Sequence, residues 1–370
     1  MVAYLIKRLL LMVPTLLGIM LISFAIIQFA PGGPVERVIA QITGNDTSAT
    51  SRIGGGGDGL SGGTVQTGEF TGGDTSSQYR GAQGLDPEFI RELERQFGFD
   101  KPAHERFLLM MKNYLTFNFG NSYYRDTPVL TLIYEKLPVS ISLGLWMVLF
   151  TYLISIPLGI RKAVLDGEPF DTWTSGALVV GYALPGFMVG VFLLVLFAGG
   201  SFLQLFPTRG LSSENWDQLS LLGKVADYFW HLTLPLIALA IGAFTQLTFL
   251  TKNSFIDEIR KQYVLTARSK GLTEKQVLYG HVFRNAMLII IAGFPAAFIF
   301  AFFSGSLLIE TIFSLDGIGL LGFESIINRD YPVVFATLFI FSLLGMVVQL
   351  ITDFIYTLVD PRIDFDSREI

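Results

Sequence analysis

Six stretches of this 370-residue chain lack any Asp, Glu, Lys or Arg: 9–30, 138–160, 176–198, 232–251, 286–309 and 333–352. A hydrocarbon layer about 30 Å thick takes roughly 20 helical residues to cross, and each stretch reaches that length. Lipid offers the backbone no hydrogen-bonding partner, so each run must satisfy its own amides as a helix. The predicted fold is therefore an all-α integral membrane protein with six spans. Composition agrees: charged residues are 15% of the chain, against roughly 25% in ordinary soluble domains.

Charge between the runs predicts orientation. Lys7 and Arg8 precede the first run; Arg161 and Lys162 follow the second; Lys252, Arg260, Lys261, Arg268, Lys270, Lys275 and Arg284 lie between the fourth and fifth; Arg362 and Arg368 follow the sixth. The two short loops on the other side carry only Arg209, Lys224 and Arg329. Both termini are expected in the cytoplasm. The first run exceeds a signal-peptide core and ends in Phe29-Ala30-Pro31-Gly32-Gly33 without a small-x-small site, which predicts a retained anchor. The expected division is a first span at 1–30, a periplasmic domain at 31–137, a five-helix core at 138–356 with a cytoplasmic loop at 252–285, and a cytoplasmic tail at 357–370. Within the periplasmic domain, 44–84 is rich in Gly, Ser and Thr and predicts a flexible insert. Its Gly54-Gly55-Gly56-Gly57-Asp58-Gly59 matches a dinucleotide fingerprint only formally, since neither strand nor helix flanks it. Two surface helices should follow. Asp86 would cap the first, Pro87 would occupy its first position and Gly98 would end it; the second should run from Pro102 to about Phe117.

Catalytic chemistry finds no footing. There is no Cys, and His104, His231 and His281 are far apart, so no metal-ligand spacing exists. Gly223-Lys224-Val225 lacks the rest of a phosphate loop, and neither a nucleophile elbow nor a zincin motif occurs. A net charge of −5 argues against a nucleic-acid partner.

The loop at 252–285 is the most informative segment. Ile256, Ile259, Tyr263 and Ala267 fall at three- and four-residue steps and predict one helical stripe. Gly271 should stop that helix, and Thr273 with Gln276 should form a capping box for the next. A DNA-binding helix-turn-helix is excluded by geometry, because both ends enter the membrane. Within the spans, the candidates for a solute path are Pro185 and Pro295, Thr245, Gln246 and Thr248, and Ser304 with Ser306. Interhelical hydrogen bonding is an equal reading of the polar ones. Gly186 and Gly190 form a small-x-x-x-small pair for which packing suffices. Glu310 and Asp316 are expected as a gate or a contact for an outside protein. No charge lies mid-span, which disfavours an autonomous channel or secondary transporter.

The motif Tyr263-Val264-Leu265-Thr266-Ala267-Arg268-Ser269-Lys270-Gly271-Leu272, followed by His281-Val282-Phe283-Arg284-Asn285-Ala286, resembles the signature loop of permease subunits of ATP-binding-cassette importers, in their dipeptide and oligopeptide branch. Further matches are Phe97-Gly98-Phe99-Asp100-Lys101-Pro102, Asn118-Phe119-Gly120-Asn121-Ser122, Arg329-Asp330-Tyr331-Pro332 and Val359-Asp360-Pro361-Arg362, so the likeness covers nearly the whole chain. The Glu-Ala-Ala of the general signature is replaced by Thr266-Ala267-Arg268, while Gly271 is kept. The insert and the near-terminal Asp360-Pro361-Arg362 look most like the permease of Yej-type importers, which carry microcin C and oligopeptides. The resemblance implies a type I importer permease in the bacterial inner membrane. It implies coupling to ATPase subunits, two copies or one fused chain, through Tyr263, Thr266, Ala267, Arg268, Lys270, Gly271, His281, Arg284 and Asn285. It also implies a second homologous permease, a periplasmic peptide-binding protein, and ATP with Mg held by the partner subunits and no cofactor in this chain.

Overall fold

A computed structural model describes residues 2–29, 33–42, 87–96, 99–199, 202–303 and 307–359. The insert at 44–84, Asp86, Gly98, Ser304, Ser306 and the tail from 360 onward lie outside the described residues. The helices, in chain order, are α1 (Val2–Phe29), α2 (Pro34–Ile42), α3 (Pro87–Gln96), α4 (Ala103–Leu115), α5 (Val129–Val164), α6 (Pro169–Ala183), α7 (Gly186–Phe197), α8 (Leu221–Ile259), α9 (Gln262–Ser269), α10 (Glu274–Val277), α11 (Phe283–Phe303), α12 (Leu307–Ile312), α13 (Ile318–Asn328) and α14 (Tyr331–Val359). No strand occurs among the described residues. The chain divides into two compact units, one of Met1–Val13, Ile133–Leu321 and Phe341–Ile370, the other of Pro14–Leu132 and Gly322–Ile340.

Five helical segments are long and apolar enough to cross a membrane: Leu5–Gln28, Val129–Val164, Leu221–Ile259, Glu274–Phe298 and Tyr331–Ile355. The expected third span differs from the single helix read in the sequence. It is two helices, α6 and α7, bent by 95° at their junction. Proline has no N–H to donate and pushes the residue before it out of the helical region. Leu184 is accordingly extended, at φ −89° and ψ 125°. The carbonyl of Pro185 then starts α7 by accepting from Met188 and Val189 at 2.9 and 3.2 Å. Pro295 behaves differently: α11 runs through it unbroken.

The second span also begins earlier than the boundary expected at 138, because α5 starts at Val129. The extra turns carry Lys136, whose ammonium pairs with the carboxylate of Asp316. Elsewhere in the larger unit, Leu143, Leu232, Leu236, Ala238, Ile309 and Phe313 form a core joining α5, α7, α8 and α12. Gly186 and Gly190 let α7 press against α8 there. A Cβ on Gly186 would stand 2.6 Å from the Ala238 carbonyl oxygen, so packing accounts for the small-residue pair.

The smaller unit contains a helix not foreseen, α2, which buries Val35 and Ile39 against Leu93 of α3. The two expected surface helices are present as α3, with Pro87 at its first position, and α4. Tyr114 of α4 meets Phe119 and Phe339 edge-on at centroid distances of 4.7 and 5.4 Å. Asp330 accepts hydrogen bonds from the Ser122 hydroxyl and, at 3.0 Å, from the Tyr123 amide.

Candidate functional site: an exposed turn on α9 and an interhelical cavity

Two features of the larger unit are candidates for function. The first is the segment after α8. The chain leaves the helix at Arg260, and Lys261 is extended at φ −76° and ψ 151°, so the stripe expected on one helix is divided between α8 and α9. Glu258 fastens this break: its carboxylate takes the Lys261 ammonium and, at 2.7 Å, the Tyr263 hydroxyl. Burial pushes the Tyr263 phenol up in pKa; Asn285 opposes this by hydrogen bonding, and the negative charge of Glu258 adds to it. The stripe still converges on one core, in which Phe255 and Val264 are fully buried beside Ile160, Ala267, Val277, Val282 and Ile290.

Gly271 ends α9 as expected. Its φ is +85°, a region that suits glycine. The Leu272 amide reaches the Ala267 carbonyl at 3.4 Å and the Gly271 amide reaches that of Arg268 at 2.9 Å, the two bonds of a Schellman motif. The capping box is formed too: the Gln276 amide donates to Thr273 Oγ1 and the Thr273 amide to Gln276 Oε1. After the single turn of α10, residues Leu278–Val282 widen into a π turn that leads directly into α11. Helix, turn and span are thus one continuous unit.

Of the residues expected to couple, Thr266, Arg268, Lys270, Gly271, His281, Arg284 and Asn285 are exposed, and Tyr263 is half-buried. Ala267, by contrast, is buried, in the core that also holds Ile160 of α5 and Val277 of α10. Arg268 is held by Glu274 at 2.9 Å. Leu265, not singled out in the sequence, is 56% exposed in the middle of this polar surface. Its place out of register with the buried stripe was the available signal.

The second feature is a cavity of about 810 Å³ among α5, α8, α11 and α12, lined by residues including Leu143, Thr151, Tyr152, Gln246 and Gly293, with Ser140 and Glu310 also in its wall. Among the described path candidates only Gln246 lines it; Glu310, expected as a gate or an outside contact, is in the wall as well. Thr245 and Thr248 are buried and turned to backbone carbonyls, Thr245 to Leu178 and Ile241 at 3.3 and 3.0 Å, Thr248 to Phe244 at 2.7 Å. These two hydroxyls are thus engaged in hydrogen bonds between and within helices. Pro185 marks the α6–α7 break and Pro295 is buried within α11; neither lines the cavity.

Sequence reasoning missed Thr151, whose hydroxyl is buried without a partner among the described residues. It also missed Gly242 and Gly293. A Cβ on either would meet nothing within 4 Å, in contrast to Gly186 and Gly190. Glycine in a span thus has two opposite meanings here, contact or open space, and composition does not separate them.

Glu310 is fully buried, so its side chain offers nothing to an outside protein. Its carboxylate accepts from Leu320 N at 2.7 Å and Ser140 Oγ at 3.4 Å, and Ser140 Oγ in turn accepts from Ile318 N at 2.9 Å. The carboxylate therefore organises the first turn of α13. A Cβ on Gly317 would lie 2.5 Å from Glu310 Cδ, which explains glycine there. Asp316 remains exposed. Among the described residues, no three His, Asp or Glu side chains converge as metal ligands.

Many apolar spans, one of them broken, a cavity between them and a rigid exposed turn define the chain as a polytopic membrane component of a transport system. It belongs to the family of binding-protein-dependent transport system inner membrane components, which matches residues 155–365. It is 64% identical to the peptidoglycan transport system permease protein YejB of Agrobacterium fabrum, over 100% of both chains. It is 56% identical to the inner membrane ABC transporter permease protein YejB of Escherichia coli O157:H7, over 99% of this chain and 100% of that one. The oligopeptide transport system permease protein AppB of Bacillus subtilis is 31% identical, over 99% of this chain and 100% of the relative.

Proposed function

We propose that this chain is the permease subunit of an ATP-driven, binding-protein-dependent importer of peptides in a bacterial inner membrane. Both termini and the 256–285 segment face the cytoplasm, and residues 31–137 form the periplasmic domain. The observation that carries this reading is the exposed α9 turn, locked by a Schellman motif and a capping box onto a core shared with α5 and α11. A helix held so firmly can take up displacement from a soluble partner and pass it on as rigid-body motion. Closure of a partner ATPase, which holds ATP and Mg, would move α9. The spans would then alternate access to the cavity, and a second permease would complete the pathway for solute delivered by a periplasmic peptide-binding protein.

Relatives named for oligopeptide and for peptidoglycan transport support a peptide solute. Oligopeptides are the proposed class, with microcin C within it. The cavity suits such a class: it is mostly apolar, with Gln246, Thr151 and Tyr152 available to peptide groups and no basic residue in its lining. Glu310, through its hold on the start of α13, acts as part of an outer gate, with Asp316 at its exposed edge.

The test is to purify the tagged chain from cells that express the whole transport system, beside Gly271→Pro. Proline cannot adopt φ +85° and has no N–H for the Arg268 carbonyl. The expected outcome is an ATPase recovered with the wild type and lost with the variant. A chain that purifies alone, and moves peptide in vesicles containing nothing else, would overturn the reading in favour of an autonomous channel.

A further inference from the structure

The feature the proposed function leaves unused is a cluster of buried charge where α5, α6 and α8 meet. Lys162 is the largest fully buried side chain among the described residues. Its ammonium reaches the Asp171 carbonyl oxygen at 2.8 Å, Thr174 Oγ1 and Ser175 Oγ at 2.7 Å each, and Asp171 Oδ1 at 2.9 Å. The other carboxylate oxygen of Asp171 takes Lys252 Nζ of α8 at 2.7 Å and the Gly167 amide at 3.2 Å. Lys252 Nζ also reaches Asp166 Oδ1 at 2.9 Å. Arg260, the residue that ends α8 just before α9, lies 3.7 Å from Asp166 Oδ2.

Stability alone is a poor reason for such a site. Desolvating ions is costly, and well-packed apolar side chains usually hold a core as well. What complete pairing does supply is a fixed relative position for the elements that contribute to it. Backbone packing at the same level has the same effect, since a Cβ on Gly159 would come within 2.6 Å of Thr251 Cβ, so α5 and α8 are in direct contact there.

The other end of α6 shows what this position is for. Tyr182 Oη accepts from Gln246 Nε2 at 3.2 Å, and Gln246 lines the cavity. Beyond Tyr182 comes the break at Leu184–Pro185, after which α7 packs on Ala238. Helix α6 is therefore a rod tied at one end to the elements that bear α9, touching a cavity residue at the other, and separated from α7 by the break.

We propose that Lys162, Asp171 and Lys252 are positioning residues of transport, clamping α6 to the coupling segment so that α6 carries its motion to Gln246 and the cavity. The inference rests on the proposed coupling role of α9.

The test uses the complete importer reconstituted with its ATPase, second permease and binding protein. Peptide uptake and ATP hydrolysis are measured together for wild type, Lys252→Met and Lys252→Arg. Lys252 lies at the edge of the cluster, and its loss leaves Asp171 paired with Lys162. Lys252→Met should assemble and hydrolyse ATP while peptide moved per ATP falls about tenfold, the range of an allosteric coupling. Lys252→Arg, which can reach both carboxylates, should restore the ratio. An unchanged ratio in Lys252→Met, or equal loss of assembly in both variants, would overturn the clamp.

A second measurement stands apart from variant folding. The chain has no Cys, so spin labels can be placed at Thr172→Cys with Ser269→Cys, and at Val191→Cys with Ser269→Cys, in the otherwise wild-type importer. On ATP binding the first distance should stay constant while the second changes. A first distance that changes with ATP would sink the clamp. A wild-type importer without peptide-dependent hydrolysis would instead remove the coupling reading beneath it.

Discussion

Two glycines show how differently one residue type acts in this chain. Gly186 exists for contact and Gly242 for space, and the two should respond oppositely to added atoms. Gly186→Val drives carbon into the Ala238 carbonyl and should cost about 1–3 kcal/mol, the usual penalty of overpacking. Gly242→Ala should leave thermal stability unchanged, whereas Gly242→Leu should keep the fold and lower peptide uptake by filling the cavity. Thermal unfolding in detergent and uptake in vesicles separate these outcomes. Asp330 adds a test by pH. Burial raises its carboxyl pKa from the ordinary 3.8, against the opposing hydrogen bonds from Ser122 and the Tyr123 amide. An acid whose folded pKa is raised holds its proton more tightly folded than unfolded. Its stabilising contribution is therefore complete below the unfolded value and is lost as pH rises through the raised one. The wild type should lose thermal stability relative to Asp330→Asn as the pH is raised from about 4 to neutrality. Parallel melting curves across that range would contradict this.

At the scale of elements, prolines mark the limit of what a local pattern conveys. Pro14, Pro138, Pro157, Pro235 and Pro295 all sit inside continuous helices. Among the described residues, Pro185 is the proline that coincides with the break within a span. A proline removes one backbone N–H hydrogen bond wherever it falls, and whether the helix continues depends on the neighbours that pack around the gap. At Pro185 the following Gly186 presses onto α8, which gives α7 its own direction. The α9–α10 turn is the opposite case. Gly271, Thr273 and Gln276 act through bonds to near neighbours, so their pattern is readable without tertiary context. Thr273→Ala removes one half of the capping box and should cost about 1 kcal/mol of local stability. The expected readout is faster amide exchange over residues 274–282 with exchange elsewhere unchanged; uniform acceleration would mean that the cap holds more than its own turn.

For the molecule as a whole, the larger unit leaves apolar side chains on α6 and α7 exposed, among them Val179, Val180, Phe187, Val191 and Phe192. Lipid or a second subunit must cover them, in keeping with a chain that works as part of an assembly. The apolar runs by themselves determined the all-α class and the number of crossings up to the broken one, because the cost of unpaired backbone in lipid acts along the chain without regard to what packs where; the position of the α9 turn followed from Gly271, Thr273 and Gln276, whose bonds are local. The membership of the site was decided only by tertiary structure. Thr245, Gln246 and Thr248 are alike in sequence position and polarity, yet only Gln246 faces the cavity. Lys162 reads as one more cation beside a span, yet it lies at the centre of a buried cluster whose partner Lys252 comes from a helix far away in sequence. Helical rotation and the pairing of distant charges are settled by which helices meet, and that depends on the fit of whole surfaces rather than on any local run of residues.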